Sequence, residues 1–309
     1  MSTVFIYAGQ GSQKVGMGLD FYETYPEYRE FIDSLQVGID LKRLMHEGAL
    51  EELSKTENTQ ACMAAFAAGV TKLFAMKGIL PDEACGLSLG EYGALYAAGT
   101  FTAEEYVALT AFRGNAMMEA AKGCSCAMSA VLGTDAAMVE EAVNAYDGDA
   151  FITVANYNCP GQYVICGDDE AVEAVEADLK SKGVKRCVRL NVSGPFHTKY
   201  MQPAGEALRG YFETISFEEP KIPVLLNVTG DYYKEGDDLK ELLVKQVQNS
   251  VRLEDQLRKL IEKGHDNFIE IGPGNTIAGF LKKTARAMKT KVNVVSIDTV
   301  EDFKKVTGE

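Results

Sequence analysis

The chain has 309 residues, 46% of them hydrophobic, enough to bury a large core in one or two domains and too apolar for a disordered chain. Against 31 Lys and Arg stand 45 Asp and Glu, and the formal charge of −14 argues against nucleic acid, whose phosphates need a basic surface. No apolar run reaches the roughly 18 residues of a membrane span, and residues 1–8 lack the basic region and cleavage site of a secretory signal.

The expected location is therefore the cytoplasm. Seven cysteines, an odd number, lie scattered through apolar contexts, as where thiols stay reduced. Cys124 and Cys126 are the one close pair, and three histidines cannot complete a zinc quartet around them, so neither a metal nor another cofactor is expected.

In chain order, residues 4–8 form a short apolar run closing on Gly9-Gln10-Gly11-Ser12-Gln13, a buried strand ending in a glycine-rich loop. Residues 59–76 are rich in alanine and predict a buried helix, stopped by Gly78 and Pro81. Strand-like residues 84–86 lead into a turn at Ser88, and helical sequence resumes at Glu91. Thr102 and Glu105 form a capping box for a second helix, which carries Arg113. Near residue 124 the texture changes. Segments 128–132, 136–146, 152–156, 163–167, 170–182 and 186–191 read as strand, helix, strand, strand, helix, strand, the split pattern of a ferredoxin-like unit. Beyond it, a strand at 223–228, an amphipathic region at 239–260 and a strand at 267–271 before Gly272-Pro273-Gly274 restore the α/β alternation.

Gly86-Leu87-Ser88-Leu89-Gly90 matches G-x-S-x-G, a strand-to-helix elbow in which small flanking residues permit a sharp turn that exposes the serine hydroxyl. A loop serine capping the following helix is the plainer reading of the same pentapeptide. The predicted fold is α/β: a large α/β-hydrolase-like domain with a parallel central sheet, from residues 1–124 and 193–309, with a small ferredoxin-like subdomain inserted at 125–192. A serine nucleophile needs a base, and three histidines are available. His46 lies in a charged helical stretch. His265 sits in an apparent turn between Gly264 and Asp266, where a solvated role is expected. His197 lies in Ser193-Gly194-Pro195-Phe196-His197-Thr198, a loop just after a predicted strand, where scaffolds present catalytic groups. Two N–H donors for a developing oxyanion could come from Leu89, after the nucleophile, and from Gln10 in the first loop, which is not a phosphate-binding P-loop because no G-K-[ST] follows.

Five blocks in order, Gly9-Gln10-Gly11-Ser12-Gln13, the Ser88 elbow, Arg113-Gly114, Asn158-Cys159-Pro160-Gly161-Gln162 and Gly194-Pro195-Phe196-His197-Thr198, followed by Glu270-Ile271-Gly272-Pro273-Gly274, resemble the malonyl-CoA:acyl-carrier-protein transacylases of fatty-acid synthesis along essentially the whole chain. The resemblance implies that Ser88 takes malonyl from CoA, that His197 is general base and then acid, and that Gln10 and Leu89 hold the oxyanion. It implies that Arg113 grips the malonate carboxylate, a role that suits a planar, permanently charged guanidinium. Asn156, Asn158, Asn227 and Gln246 resemble substrate-binding polar positions. The segment 246–253 resembles a block whose backbone carbonyl orients the histidine, here that of Arg252. It departs from the family at Ser250, where proline is usual, and at Leu253, where tryptophan is usual. Leu87 stands where the family commonly has histidine.

The implied partners are malonyl-CoA and an acidic acyl carrier protein, with the chain acting as a monomer. The carrier's charge makes Lys180, Lys182, Lys185, Arg186 and Arg189 a candidate docking surface, against the plain reading of a solvated face. Two other readings use the same residues: a serine hydrolase in which water accepts the acyl group, against which Arg113 argues, and a catalytically silent carrier-binding subunit, against which the retention of both Ser88 and His197 argues.

Overall fold

A computed structural model describes residues 2–191 and 194–309. Its eleven described strands are β1 (Thr3–Tyr7), β2 (Glu83–Gly86), β3 (Cys126–Leu132), β4 (Ile152–Cys159), β5 (Gln162–Asp168), β6 (Arg186–Arg189), β7 (Leu225–Leu226), β8 (Asp231–Tyr232), β9 (Val251–Arg252), β10 (Asn267–Ile271) and β11 (Asn293–Ile297). β11, β10, β1 and β2 form, in that order, a sheet whose every pairing is parallel. Val4 to Tyr7 are fully buried, the continuous apolar run expected of a parallel strand covered on both faces. The helix Thr56–Met76 covers this sheet and begins three residues before the sequence reading placed it. Its partner, the helix Ala103–Ala121, starts with the expected Thr102–Glu105 capping box.

The second sheet has the order β6-β3-β5-β4-β9. Its first four strands are antiparallel neighbours in the arrangement of a ferredoxin-like unit, with helices Ala136–Asn144 and Asp169–Ser181 behind them. Val131, Val139, Val154, Ile165, Val172 and Leu179 belong to a core of this unit's own. β9, which comes from the later part of the chain, adds itself parallel to β4 with Asn156 opposite Val251. The two units are therefore stitched by backbone hydrogen bonds. Residue 1 and the expected boundary at 192/193 lie outside the described residues.

Two readings change downstream. Residues 223–228 do not form a full strand: only Leu225–Leu226 pairs, antiparallel to β8, and Val224 makes a single parallel bridge to Ala84. Pro223 has no N–H to give a ladder, and the Asn227 backbone N–H is taken by the Glu91 carboxylate instead. The amphipathic stretch 239–260 is two helices, Leu239–Gln246 and Leu253–Glu262, because β9 interrupts it. No helix among the described residues is long and apolar enough to cross a membrane.

Candidate active site

The C-terminal ends of β1 and β2 lie side by side, where parallel α/β sheets leave a crevice for ligands. Ser88 leaves β2 with φ 54° and ψ −100° and precedes the helix Leu89–Ala97. A side chain held in such a region costs on the order of 1–3 kcal/mol, which surrounding contacts must offset. The flanking glycines make the turn sterically feasible. A Cβ at Gly86 would stand 2.2 Å from the Gly90 carbonyl, and one at Gly90 would stand 2.0 Å from the Tyr7 backbone oxygen. The Ser88 hydroxyl makes no helix-capping bond. It lies 2.7 Å from His197 Nε2 and accepts a 3.1 Å hydrogen bond from Arg113 Nη2.

His197 has φ 62°, so two of the three non-glycine residues with positive φ among the described residues are this pair. Its Nδ1 is 2.9 Å from the backbone oxygen of Gln246. A carbonyl only accepts, so Nδ1 carries the proton and Nε2 keeps a lone pair facing the serine hydroxyl. The orienting carbonyl is thus that of Gln246, not Arg252. Gln246 ends its helix, so its carbonyl has no acceptor duty within the helix. Arg252 is exposed, with its guanidinium on Asp255 at 3.2 Å and over the Tyr157 ring. Burial and the Arg113 charge push His197 down to about 4, which keeps the imidazole unprotonated, with Nε2 free to accept a proton, at neutral pH.

Arg113 is 1% exposed. Nη1 donates to Gln60 Oε1 at 2.8 Å, Nη2 also donates to Gln246 Oε1 at 2.9 Å, and the guanidinium lies over the Tyr92 ring. Burial lowers its pKa from the usual arginine value. The groove beside it encloses about 200 Å³ and is lined by Gln10, Ser88, Arg113, Asn156, Asn158 and His197 on its polar side, with Leu87 and Leu89 flanking the serine. Met117, Met128, Val164, Phe196 and Phe280 supply an apolar wall. A β-bulge between Val154 and Asn156 breaks the ladder where Asn156 enters the groove. Gln10 is fixed by its side chain, which donates to Thr56 Oγ1 at 2.9 Å. Leu89 opens a helix, so its N–H has no acceptor inside that helix.

Two residues expected to bind substrate do something else. Asn227 is fully buried: its Oδ1 accepts from the Ser88 N–H at 2.6 Å, and its Nδ2 donates to the Gly86 carbonyl at 2.7 Å. Gln246 donates from Nε2 to the Ser88 carbonyl at 2.8 Å. Both side chains brace the elbow rather than line the groove, because a strained turn needs its backbone groups satisfied.

The sequence reading missed Gln60 and Glu91. Gln60 lay in a helix read only as core. Glu91, one residue past the elbow's last glycine, is a fully buried carboxylate, and only its place in the first turn of the helix hints at a role. His265 also departs from expectation: it is buried, 2.8 Å from Ser2 Oγ and 3.2 Å from Glu83.

Residues 4–305 match the acyl transferase domain family. Over 300 residues the chain is 38% identical to the malonyl CoA-acyl carrier protein transacylase of Bacillus subtilis (strain 168), covering 96% of this chain and 94% of that one. It is 35% identical over 305 residues to the enzyme of that name from Staphylococcus aureus (strain MRSA252), covering 98% and 97%. Among solved structures, MCAT from Streptococcus pneumoniae aligns with a TM-score of 0.92 at 38% identity, covering 99% of each chain. A malonyl-transacylase in complex with its type II PKS acyl-carrier protein aligns with a TM-score of 0.94 at 30% identity, covering 100% of this chain and 99% of that one. The chain belongs to the acyl transferase domain family and, within it, to the malonyl-CoA:acyl-carrier-protein transacylases.

Proposed function

We propose that the protein transfers a malonyl group from malonyl-CoA to the phosphopantetheine thiol of an acyl carrier protein, through an ester on Ser88. The observation that carries this reading is Arg113, a buried guanidinium 3.1 Å from the nucleophile's oxygen in the same groove. Burying a cation whose direct hydrogen-bond acceptors are the neutral Gln60, Ser88 and Gln246 is costly. A donor whose acyl group ends in a free carboxylate offsets that cost by pairing with it.

His197 Nε2 takes the Ser88 proton as Oγ attacks the thioester carbonyl. The N–H groups of Gln10 and Leu89 receive the negative charge that develops on the carbonyl oxygen. As the C–S bond breaks, the imidazolium returns the proton to the CoA sulfur, leaving malonyl-Ser88. In the second half the carrier thiol gives its proton to His197, attacks the ester, and Ser88 Oγ leaves with that proton. Every group needed is on the chain or the substrates, and the steps use no cofactor. The apolar wall of Met117, Met128, Val164, Phe196 and Phe280 disfavours water as a competing acceptor. That wall and Arg113 favour transfer over hydrolysis.

The carrier-docking proposal narrows. Lys182 is paired with Asp178 and Glu141, and Arg189 with Glu176 and Asp169. Lys185 and Arg186 instead line a groove of about 630 Å³ together with Lys283. Lys283 lies one turn beyond Phe280, which lines the catalytic groove, on the helix Thr276–Ala287. An acidic carrier seated there is steered by charge toward the mouth of the site. We take the monomer as the working unit, since one chain supplies every group of the site, and the cytoplasm as its location, in keeping with seven free thiols. The test is to load the protein with malonyl-CoA, find the ester on Ser88, and chase it with holo carrier protein. Loss to water at the same rate with and without the carrier would refute transfer.

A further inference from the structure

Glu91 is a fully buried carboxylate that the steps above do not use. Its Oε2 accepts from the Asn227 backbone N–H at 2.7 Å and lies 3.4 Å from Gln246 Nε2. These two residues are the ones that brace the elbow. Asn227 holds the N–H of Ser88 and the carbonyl of Gly86. Gln246 holds the Ser88 carbonyl with its Nε2, Arg113 with its Oε1, and His197 with its backbone oxygen. One carboxylate thus stands behind the nucleophile, the base and the cation without touching any of them.

We propose that Glu91 is a positioning residue for acyl transfer, its ionised carboxylate fixing the orientation of Gln246 and Asn227 and thereby of Ser88, Arg113 and His197. The chemistry of an amide explains what a charge adds there. Gln246 has one donor end and one acceptor end, and its two ends can exchange by a flip. Arg113 can only donate, and ionised Glu91 can only accept. Arg113 and the Ser88 carbonyl, which can only accept, already select one orientation of the amide, and ionised Glu91 adds a second acceptor at the same donor end, so Arg113, Gln246 and Glu91 form a polar relay with the cation and anion at its ends. A protonated Glu91 carries a donor of its own and gives up the charge-assisted part of that support, leaving the Ser88 carbonyl and Arg113 to hold the amide.

The groups facing Glu91 are Arg113 from the helix Ala103–Ala121, Gln246 from the helix Leu239–Gln246, Asn227 from the loop after β7, Cys85 from β2, and Tyr92 on its own helix. Burial raises the carboxyl to about 7, and the amide donors and Arg113 oppose that rise. The ionised fraction therefore grows as pH increases through about 7. His197, at about 4, is already neutral across that window and adds no change of its own.

The inference rests on Ser88 being the acylated residue. Rates of malonyl-Ser88 formation at low malonyl-CoA, measured by rapid quench and mass spectrometry between pH 6 and 8, test it in the wild type and in Glu91→Gln. The variant keeps the size and an acceptor oxygen but not the charge. Wild-type acylation should rise about fivefold over this range, because a roughly tenfold difference between a charge-assisted and a neutral hydrogen bond is only partly traversed between pH 6 and pH 8. Glu91→Gln should stay near the wild-type pH 6 rate throughout, with an unchanged unfolding temperature at pH 6. A variant that matches the wild type at pH 8, or that keeps the rise, overturns the proposal. If the variant does not fold, a flat wild-type profile overturns it alone. A wild type that forms no ester at any pH refutes the Ser88 reading instead, so the two failures are distinct.

Discussion

Arg113→Ala should separate malonyl from acetyl transfer. For a malonyl donor the variant loses a buried guanidinium–carboxylate pair, and breaking such a pair by removing one partner costs about 3–5 kcal/mol. That corresponds to roughly a thousandfold loss in kcat/KM. An acetyl donor has no carboxylate, but it does not escape unharmed. Arg113 also donates to Ser88 Oγ, Gln246 Oε1 and Gln60 Oε1, and those acceptors lose a partner. About 1–1.5 kcal/mol of misplacement, roughly tenfold, is expected from this second effect. Because this second effect falls on both donors, it cancels in the ratio, and the malonyl-to-acetyl preference should fall about a thousandfold. The same substitution removes a positive charge that helps hold His197 down at about 4, so the imidazole should titrate at a higher pH. The neutral imidazole is the active base, and the acid limb of the acylation profile should move upward with it. Stopped assays with malonyl- and acetyl-CoA across pH 4–8 read both effects. Equal losses for the two donors, or an acid limb that moves down, would refute the role given to Arg113.

Asn227→Ala leaves the Ser88 N–H and the Gly86 carbonyl without partners in a fully buried place, at about 1–3 kcal/mol for each. Chemical denaturation should show a loss of about 2–6 kcal/mol, and an unchanged midpoint would mean the elbow is held by other contacts. Reversing charge with Lys185→Glu and Arg186→Glu should raise the KM for an acidic carrier about tenfold at low salt. The same double variant should leave acylation by a malonyl thioester of pantetheine, which lacks CoA's phosphates, unchanged. A carrier KM that stays put removes this groove as the docking face.

The layout of the fold was legible where a local rule suffices. The buried run ending β1, the capping box at Thr102 and Glu105, and the alternation of the inserted unit each carry their signal within a few residues. Short-range pattern could not reveal β9, a two-residue strand whose existence depends on the distant β4. It split what had read as one amphipathic region. The elbow and the His197 loop were readable because tight turns demand glycine and proline at fixed offsets. Contacts between residues far apart in sequence were not. Gln246 and Asn227 were recognised as polar positions of the site, yet their work on the backbone of Ser88 spans 158 and 139 residues of sequence. His265 read as a turn residue because nothing local reveals that Ser2 and Glu83 close over it. The choice between the carbonyls of Arg252 and Gln246 turned on where a helix ends, a boundary that pattern fixes poorly.

The central claim is that Ser88 stores a malonyl group for a thiol, and the most direct measurement is the mass of the protein after exposure to malonyl-CoA. The intact chain should gain one malonyl group, peptide mapping should place it on Ser88, and addition of holo carrier protein should remove it with matching gain of mass on the carrier. Ser88→Ala should gain nothing while keeping its fold. A folded wild type that gains no malonyl group, or an adduct that persists in Ser88→Ala, would contradict the account.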